Sequence, residues 1–456
     1  MGTSDIDSAA RPGKQDELLT WVEDVSGGKI VNRRQIAGGN RCHSWALDIE
    51  PNNGGALMPL YLRVQVAPTI GVEPYTVWRE ASVYRAVREP AIRMPRLVAA
   101  HPTVPAILTE RAAGIAEFRH LKDEPARLAI SQDFVAALAA LHRLDISTLD
   151  LGALARQDLS VRAAITEEIQ IWRAMYEETE RRDPLIDLAF SWLEANRPQI
   201  NDRAVLAHGD AGPGNFLFDQ GRLTALIDWE LAHLGDPMDD LAWFSMRCVM
   251  EPVPDFAACL RAYEAHSGIR VDRERLNFHR VLVSLRVVVI RHRNVSGLPG
   301  NSLVSRALNR RLLVEAIATA SGIELPVLPK MVEPETARSP LYNKIIEDIR
   351  TEIVPRSTDA HAIALLKDGA KVMKHLREMD RYAAAMEAQE LVAINDFFGK
   401  PQNSLAEGRA ALSRRVLDGD YELTRLLTYF HGNVIRETQL NADAQGGLAT
   451  RGFPAF

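Results

Sequence analysis

From Ile30 to Glu110 the apolar residues come in short runs that stop at turn-forming residues. "KIVNRRQIAGGNRCHSWALDIE", a break at "PNNGG" and then "LMPLYLRVQV" read as strands. "VWREASVYRAV" carries its apolar residues at helical spacing, and "PRLVAAH" and "PAILTER" return to strand. The pattern predicts a small, mostly antiparallel sheet with one helix packed on it. After Phe118 the period lengthens: "SQDFVAALAALHRL" and "ITEEIQIWRAMYEETERR" are amphipathic, and "DLAFSWLEANRP" ends before a proline. Two short strands, "NFLF" and "LTALIDW", joined by a turn at Asp219-Gln220-Gly221, interrupt the helices, which resume and run through Ile317.

Pro326, Pro329, Pro334 and Pro340 then mark a linker, and residues 341–440 read as a separate helical module. Its segments are "LYNKIIEDIRTEIV", "AHAIALLKDGAKVMKHL", "YAAAMEAQELVAINDFF", "LAEGRAALSRRVL" and "YELTRLLTYFHGNVIRET". The expected organisation is a tail over 1–27, a sheet lobe over 28–113, a helical lobe over 114–325, a linker over 326–340, the module over 341–440 and a second tail over 441–456. The module's apolar faces make it a candidate homodimer seam or a lid over an acceptor site.

Composition removes several classes of function. Of 456 residues, 46% are apolar and 25% charged, as in an ordinary globular protein, and a net charge of −6 argues against a nucleic-acid-binding surface. The three cysteines, Cys42, Cys248 and Cys259, show no CxxC pair and no zinc-ligand spacing, so they are expected to be buried thiols in a reducing compartment. The N-terminus has no apolar signal region, and Ile6 stands where a myristoylation signal needs Ser or Thr. The most apolar run, "VLVSLRVVVI", is short and broken by Arg286. A cytoplasmic protein without a membrane partner is expected.

Chemistry concentrates in "AHGDAGPGNFLF" and "LTALIDWELAHLGDP". Carboxylates bedded between apolar runs are costly unless paired or bound to a cation. Phosphoryl transfer needs such a set: a carboxylate to accept the proton of the attacking hydroxyl, and oxygen ligands for Mg²⁺ on the triphosphate. Asp210 suits the first role, and Asn215 and Asp228 the second. Upstream, Gly38 and Gly39 form a turn whose backbone could approach phosphates. Arg63 on the "LYLRV" strand and Glu80 on the following helix could pair so that the cation reaches the α- and β-phosphates. Glu110, Arg111 and Ala112 in "LTERAAG" could form an inter-lobe hinge whose backbone contacts adenine. His208, Trp229 and Trp243 read as structural.

These residues resemble the aminoglycoside phosphotransferase and choline kinase-like family, whose hallmark is H-G-D-x-x-x-x-N followed by I-D-W-E. Here the motif is His208-Gly209-Asp210 with Asn215, then Ile227-Asp228-Trp229-Glu230. "IDWELAHLGDPMDDLAW" is most similar to the kinase-like region fused to some acyl-CoA dehydrogenases. The resemblance covers roughly 28–322 and implies an α+β, bilobal protein-kinase-like fold, with the C-terminal all-α module appended. It further implies ATP and Mg²⁺ as cofactors, Asp210 as catalytic base, Asn215 and Asp228 as metal ligands, and Asp240 as a brace for the catalytic loop. Arg63 departs from the lysine of many kinases, although the dehydrogenase-fused branch also shows "LR" there.

The spacing from Asn215 to "ELAHLGDP" leaves little room for a protein-kinase activation segment, which disfavours a protein kinase, so the acceptor is expected to be a small-molecule hydroxyl. Leu276 to Val314 contains seven arginines and no acid. That composition suits an anionic alcohol, and the resemblance suggests a hydroxyacyl-CoA. The alternatives are an antibiotic O-phosphotransferase acting on aminoglycosides, and a nucleotide-binding pseudokinase acting through its helical module.

Overall fold

The computed structural model describes residues 12–36, 41–66, 73–293 and 300–456. They fall into two compact units. One takes in residues up to Ile171, Gln199–Asp272 and Pro454–Phe456; the other takes in Trp172–Pro198 and Arg273–Phe453.

The first unit opens with helix α1, Pro12–Ser26, within the stretch read from sequence as a tail. The correction has a simple cause. Leu18, Trp21, Val22 and Val25 recur at i, i+3, i+4 and i+7, and Leu18 and Val22 are buried in the core of the sheet. That sheet has the order β1-β2-β3-β5-β4, with every pair antiparallel. Its strands are β1 Gly28–Ile36, β2 Cys42–Pro51, β3 Met58–Gln65, β4 Leu97–Ala100 and β5 Ala106–Glu110. Leu60, Leu62 and Val64 of β3 join Leu47, Ile49, Ala106 and Leu108 in the core cluster beneath α1. Strand alternation therefore turns Arg63 to the other face. Helix α2, Val77–Ala86, starts at a Thr76 cap and carries Glu80 in its first turn, fully buried.

The remainder of this unit positions two short hairpins. β6 Val205–Ala207 pairs with β9 His233–Gly235, and β7 Phe216–Asp219 with β8 Arg222–Leu226. The β7–β8 turn places Gln220 at φ 46° and Gly221 at φ 75°, as a tight hairpin of right-handed twist requires. Phe216 packs on Phe118 and Phe134, and Phe134 on Phe244, with ring centres 5.1–5.6 Å apart. Those contacts tie the second hairpin to α3, Glu124–His142, and to α6, Pro237–Met250; α4 is Val161–Glu177, and α7 is Phe256–Ser267.

The second unit is helical: α5 Pro184–Ala195, α8 Arg273–Arg293, α9 Gly300–Ala320, α10 Ser339–Asp348, α11 Ala360–Phe398, α12 Leu405–Leu417 and α13 Leu423–Gln445. Helix α11 runs unbroken for 39 residues, where the sequence pattern suggests two helices. The charged run Arg377-Glu378 and Asp380-Arg381 interrupts the apolar stripe but contains nothing that stops a helix. The proline-rich stretch is pinned to α13: Met331 N donates to Gln439 Oε1 at 3.0 Å and Gln439 Nε2 to Met331 O at 2.7 Å. Among the described residues, all three cysteines are free and buried, and no helix is long and apolar enough to cross a membrane.

Candidate active site

The loop after β6 is held by one buried carboxylate. Asp240, in the first turn of α6, accepts hydrogen bonds from His208 N at 2.7 Å and Gly209 N at 2.8 Å. His142 Nε2 lies 3.0 Å from the same group, and His142 Nδ1 lies 2.7 Å from the Tyr263 hydroxyl. Burial alone would push the Asp240 carboxyl up; His142 and the backbone donors outweigh it and hold the carboxyl below its ordinary value. Gly209 has φ 80°, and a Cβ there would overlap the Leu231 carbonyl. The buried His208 ring lies 4.4 Å from Trp229, and its Nε2 is 3.0 Å from Ile227 O, so it joins the Asp210 loop to the Asp228 turn.

Asn215 links the same two segments. Its Nδ2 donates to Asp210 O at 2.8 Å, and its own carbonyl accepts from Ile227 N at 3.0 Å. With Nδ2 engaged, the side-chain oxygen is the atom left to act as a ligand. Asp228 follows at φ 68°, a left-handed conformation that a non-glycine residue holds only when its surroundings impose it. The Asp228 side chain is 33% exposed and that of Asp210 15%, so both can be reached from solvent.

Arg63 sits among three carboxylates. Its Nη1 is 3.3 Å from Glu80 Oε1; its Nη2 is 2.7 Å from Asp228 Oδ1 and 2.8 Å from Glu230 Oε2. Burial pushes Glu80 and Glu230 each up to about 7, and Glu80 also accepts a hydrogen bond from Trp229 N. Asp228 moves the other way, because the charge and hydrogen bond of Arg63 outweigh its burial. Asp228 is thus held ionised beside Arg63, while Glu80 and Glu230 add negative charge to the cluster only as the pH rises through about 7.

Arg247 on α6 was not anticipated from sequence. Its Nε donates to Asp210 Oδ1 at 2.8 Å and its Nη2 to Asp210 Oδ2, a two-pronged ion pair. A signal was available: Arg247 stands seven residues, two helical turns, after Asp240 and therefore on the same face of α6.

The structure brings together Asp210, Asn215, Asp228, Arg63 and Glu80. It does not bring the hinge side chains into that network: Glu110 pairs with Arg96 at 2.7 Å, and Arg111 with Asp48 at 2.7 Å. Ala112 lies beyond the end of β5, in a stretch without regular structure that leads to Gly114. Gly114, at φ 113°, lies so close to Phe218 O that a Cβ would meet it at 2.6 Å. Gly38 and Gly39 lie outside the described residues.

Part of the chain is similar to known proteins. Residues 59–279 match the phosphotransferase enzyme family. Among curated proteins, acyl-CoA dehydrogenase family member 11 of Rattus norvegicus is 33% identical over 123 residues, 26% of this chain and 15% of that protein. Acyl-CoA dehydrogenase family member 10 of Mus musculus is 26% identical over 219 residues, 45% of this chain and 19% of that protein. The chain thus spans less than a fifth of those relatives' length. Among solved structures, a putative aminoglycoside phosphotransferase from Ralstonia eutropha is 19% identical, with 68% and 95% of the two chains covered and a TM-score of 0.45. A macrolide 2'-phosphotransferase from Brachybacterium faecium is 20% identical, with 69% and 100% covered and a TM-score of 0.43.

Proposed function

We propose that the phosphotransferase domain moves the γ-phosphoryl group of ATP to a hydroxyl of a small anionic molecule, with Asp210 as general base. The observation that carries this reading is the joining of the Asp210 loop to the Asp228 turn through Asn215 and His208, with both carboxylates reachable from solvent.

The donor set fits Mg²⁺. Asn215 and Asp228 offer hard oxygen atoms, and Asp228 is held ionised by the neighbouring Arg63. Few protein ligands suit an ion that takes its remaining positions from phosphates and water. Held by Asn215 and Asp228, Mg²⁺ would offset the charge of the triphosphate. Arg63, steadied by buried Glu80, would clamp phosphate oxygens with its planar fork. Asp210 keeps lone pairs free beyond the two that Arg247 engages, so it can take up the acceptor hydroxyl proton as the new P–O bond forms.

For the acceptor we infer a hydroxyacyl-CoA. The support is the likeness to acyl-CoA dehydrogenase family members 10 and 11. An ADP-release assay tests it: turnover is expected with 4-hydroxyacyl-CoA and not with kanamycin, and Asp210→Asn should lower kcat by at least about a thousandfold while leaving nucleotide affinity largely intact. Turnover confined to aminoglycosides would replace the acceptor. Mg²⁺-dependent nucleotide binding without turnover on any alcohol would replace the enzyme by a pseudokinase.

A further inference from the structure

The second unit contains a cavity of about 330 Å³, within the size range of small-molecule sites. Most of its wall comes from residues outside the matched phosphotransferase segment, and it is rich in guanidinium groups. Some of these are neutralised internally. Arg310 pairs with Asp183 and Glu437, and Arg409 donates two hydrogen bonds to Glu390 at 2.7 and 2.6 Å. Three others have no carboxylate at ion-pair distance among the described residues. Exposed Arg181 donates to the His292 carbonyl at 2.7 Å, half-buried Arg436 donates to the Asn433 side chain, and exposed Arg306 makes no such bond.

A partly buried cation without a counter-ion costs stability. Burial pushes the Arg436 guanidinium down by more than the Glu390 and Glu437 carboxylates lift it, and it pushes the neighbouring His292 down as well. Glu387 is the one wall carboxylate that forms no ion pair, and it is exposed. The wall also carries Met379, Met386 and Leu440, so an apolar surface accompanies the cations. Three uncompensated guanidiniums suit a dianion with three oxygens better than a single carboxylate.

We propose that this cavity binds a phosphate monoester with an apolar body, its phosphate received by Arg181, Arg306 and Arg436 and its body by Met379, Met386 and Leu440. The proposal does not rest on the kinase reading. Calorimetric titration of the full chain with phenyl phosphate, inorganic phosphate and benzoate tests it. Phenyl phosphate should bind, and at least about tenfold more tightly than either of the others. Arg436→Gln should weaken that binding about tenfold or more and Arg306→Gln by a smaller factor. Arg436→Gln should also leave the melting temperature of the free protein unchanged or raised, because it removes an uncompensated charge; a purely structural arginine would lower it. Saturating ADP should leave the titration unchanged. The proposal is overturned if phenyl phosphate does not bind, if benzoate or inorganic phosphate binds as tightly, if both arginine variants bind it normally, or if ADP displaces it.

Discussion

Gly209 shows how narrowly the Asp210 loop is built. Its left-handed φ and the Leu231 carbonyl beside it exclude any side chain. Gly209→Ala should lower unfolding stability by about 2–4 kcal/mol, read as a reduced urea midpoint; a change below about 0.5 kcal/mol would show that the loop can rearrange around a methyl group. At this scale much of the site was legible. Asp210, Asn215 and Asp228 lie within twenty residues, in an order that few other chemistries need. The Arg63–Glu80 pair was readable only as an option, since nothing in the spacing shows that Asp228 and Glu230 also crowd the same guanidinium. Arg247 escaped notice because a lone arginine late in a helix reads as a solvated residue or a favourable charge for the helix dipole.

Elements repeat the pattern with different failures. The antiparallel sheet and its single helix follow from alternation and turn residues, because each strand has one buried face and a period of two. Helix α1 was missed for a reason of context: a short amphipathic stripe near a chain end says little until the surface that covers it is known. Helix α11 was divided by reading an interrupted apolar stripe as an interrupted helix. Yet no proline lies within it, and its one glycine, Gly369, is helical with no atom within 4 Å of where a Cβ would lie. Gly369→Ala should therefore stabilise the protein by about 0.5–1 kcal/mol, measured by urea unfolding; destabilisation would mean that the helix bends or opens there.

At the scale of the whole molecule, the two compact units do not follow chain order, because Trp172–Pro198 belongs with Arg273–Phe453. No local signal marks that rejoining. It shows in long-range contacts such as that of Arg310 with Asp183, a residue 127 positions earlier. Burial would push Asp183 up, but Arg310 holds it below the ordinary carboxylate value of 3.8. A carboxyl with a depressed folded pKa contributes stability that is complete above its unfolded pKa and disappears as the pH falls through the folded one. Urea midpoints should thus fall from about pH 6 to about pH 3, and Asp183→Asn, which keeps the cap on α5, should flatten part of that slope. An unchanged slope would remove the pair from the acid response.

Helix α6 grips the Asp210 loop at two points, by Asp240 on its backbone and by Arg247 on the Asp210 carboxylate. Seven residues of rigid helix set those grips roughly 10 Å apart along its axis. The helix thereby serves as a ruler: one added residue between them would swing the arginine about 100° around the barrel while the backbone anchor stayed in place. The position of the Asp210 carboxylate is thus written into the count of residues between two side chains, neither of which belongs to the motif itself.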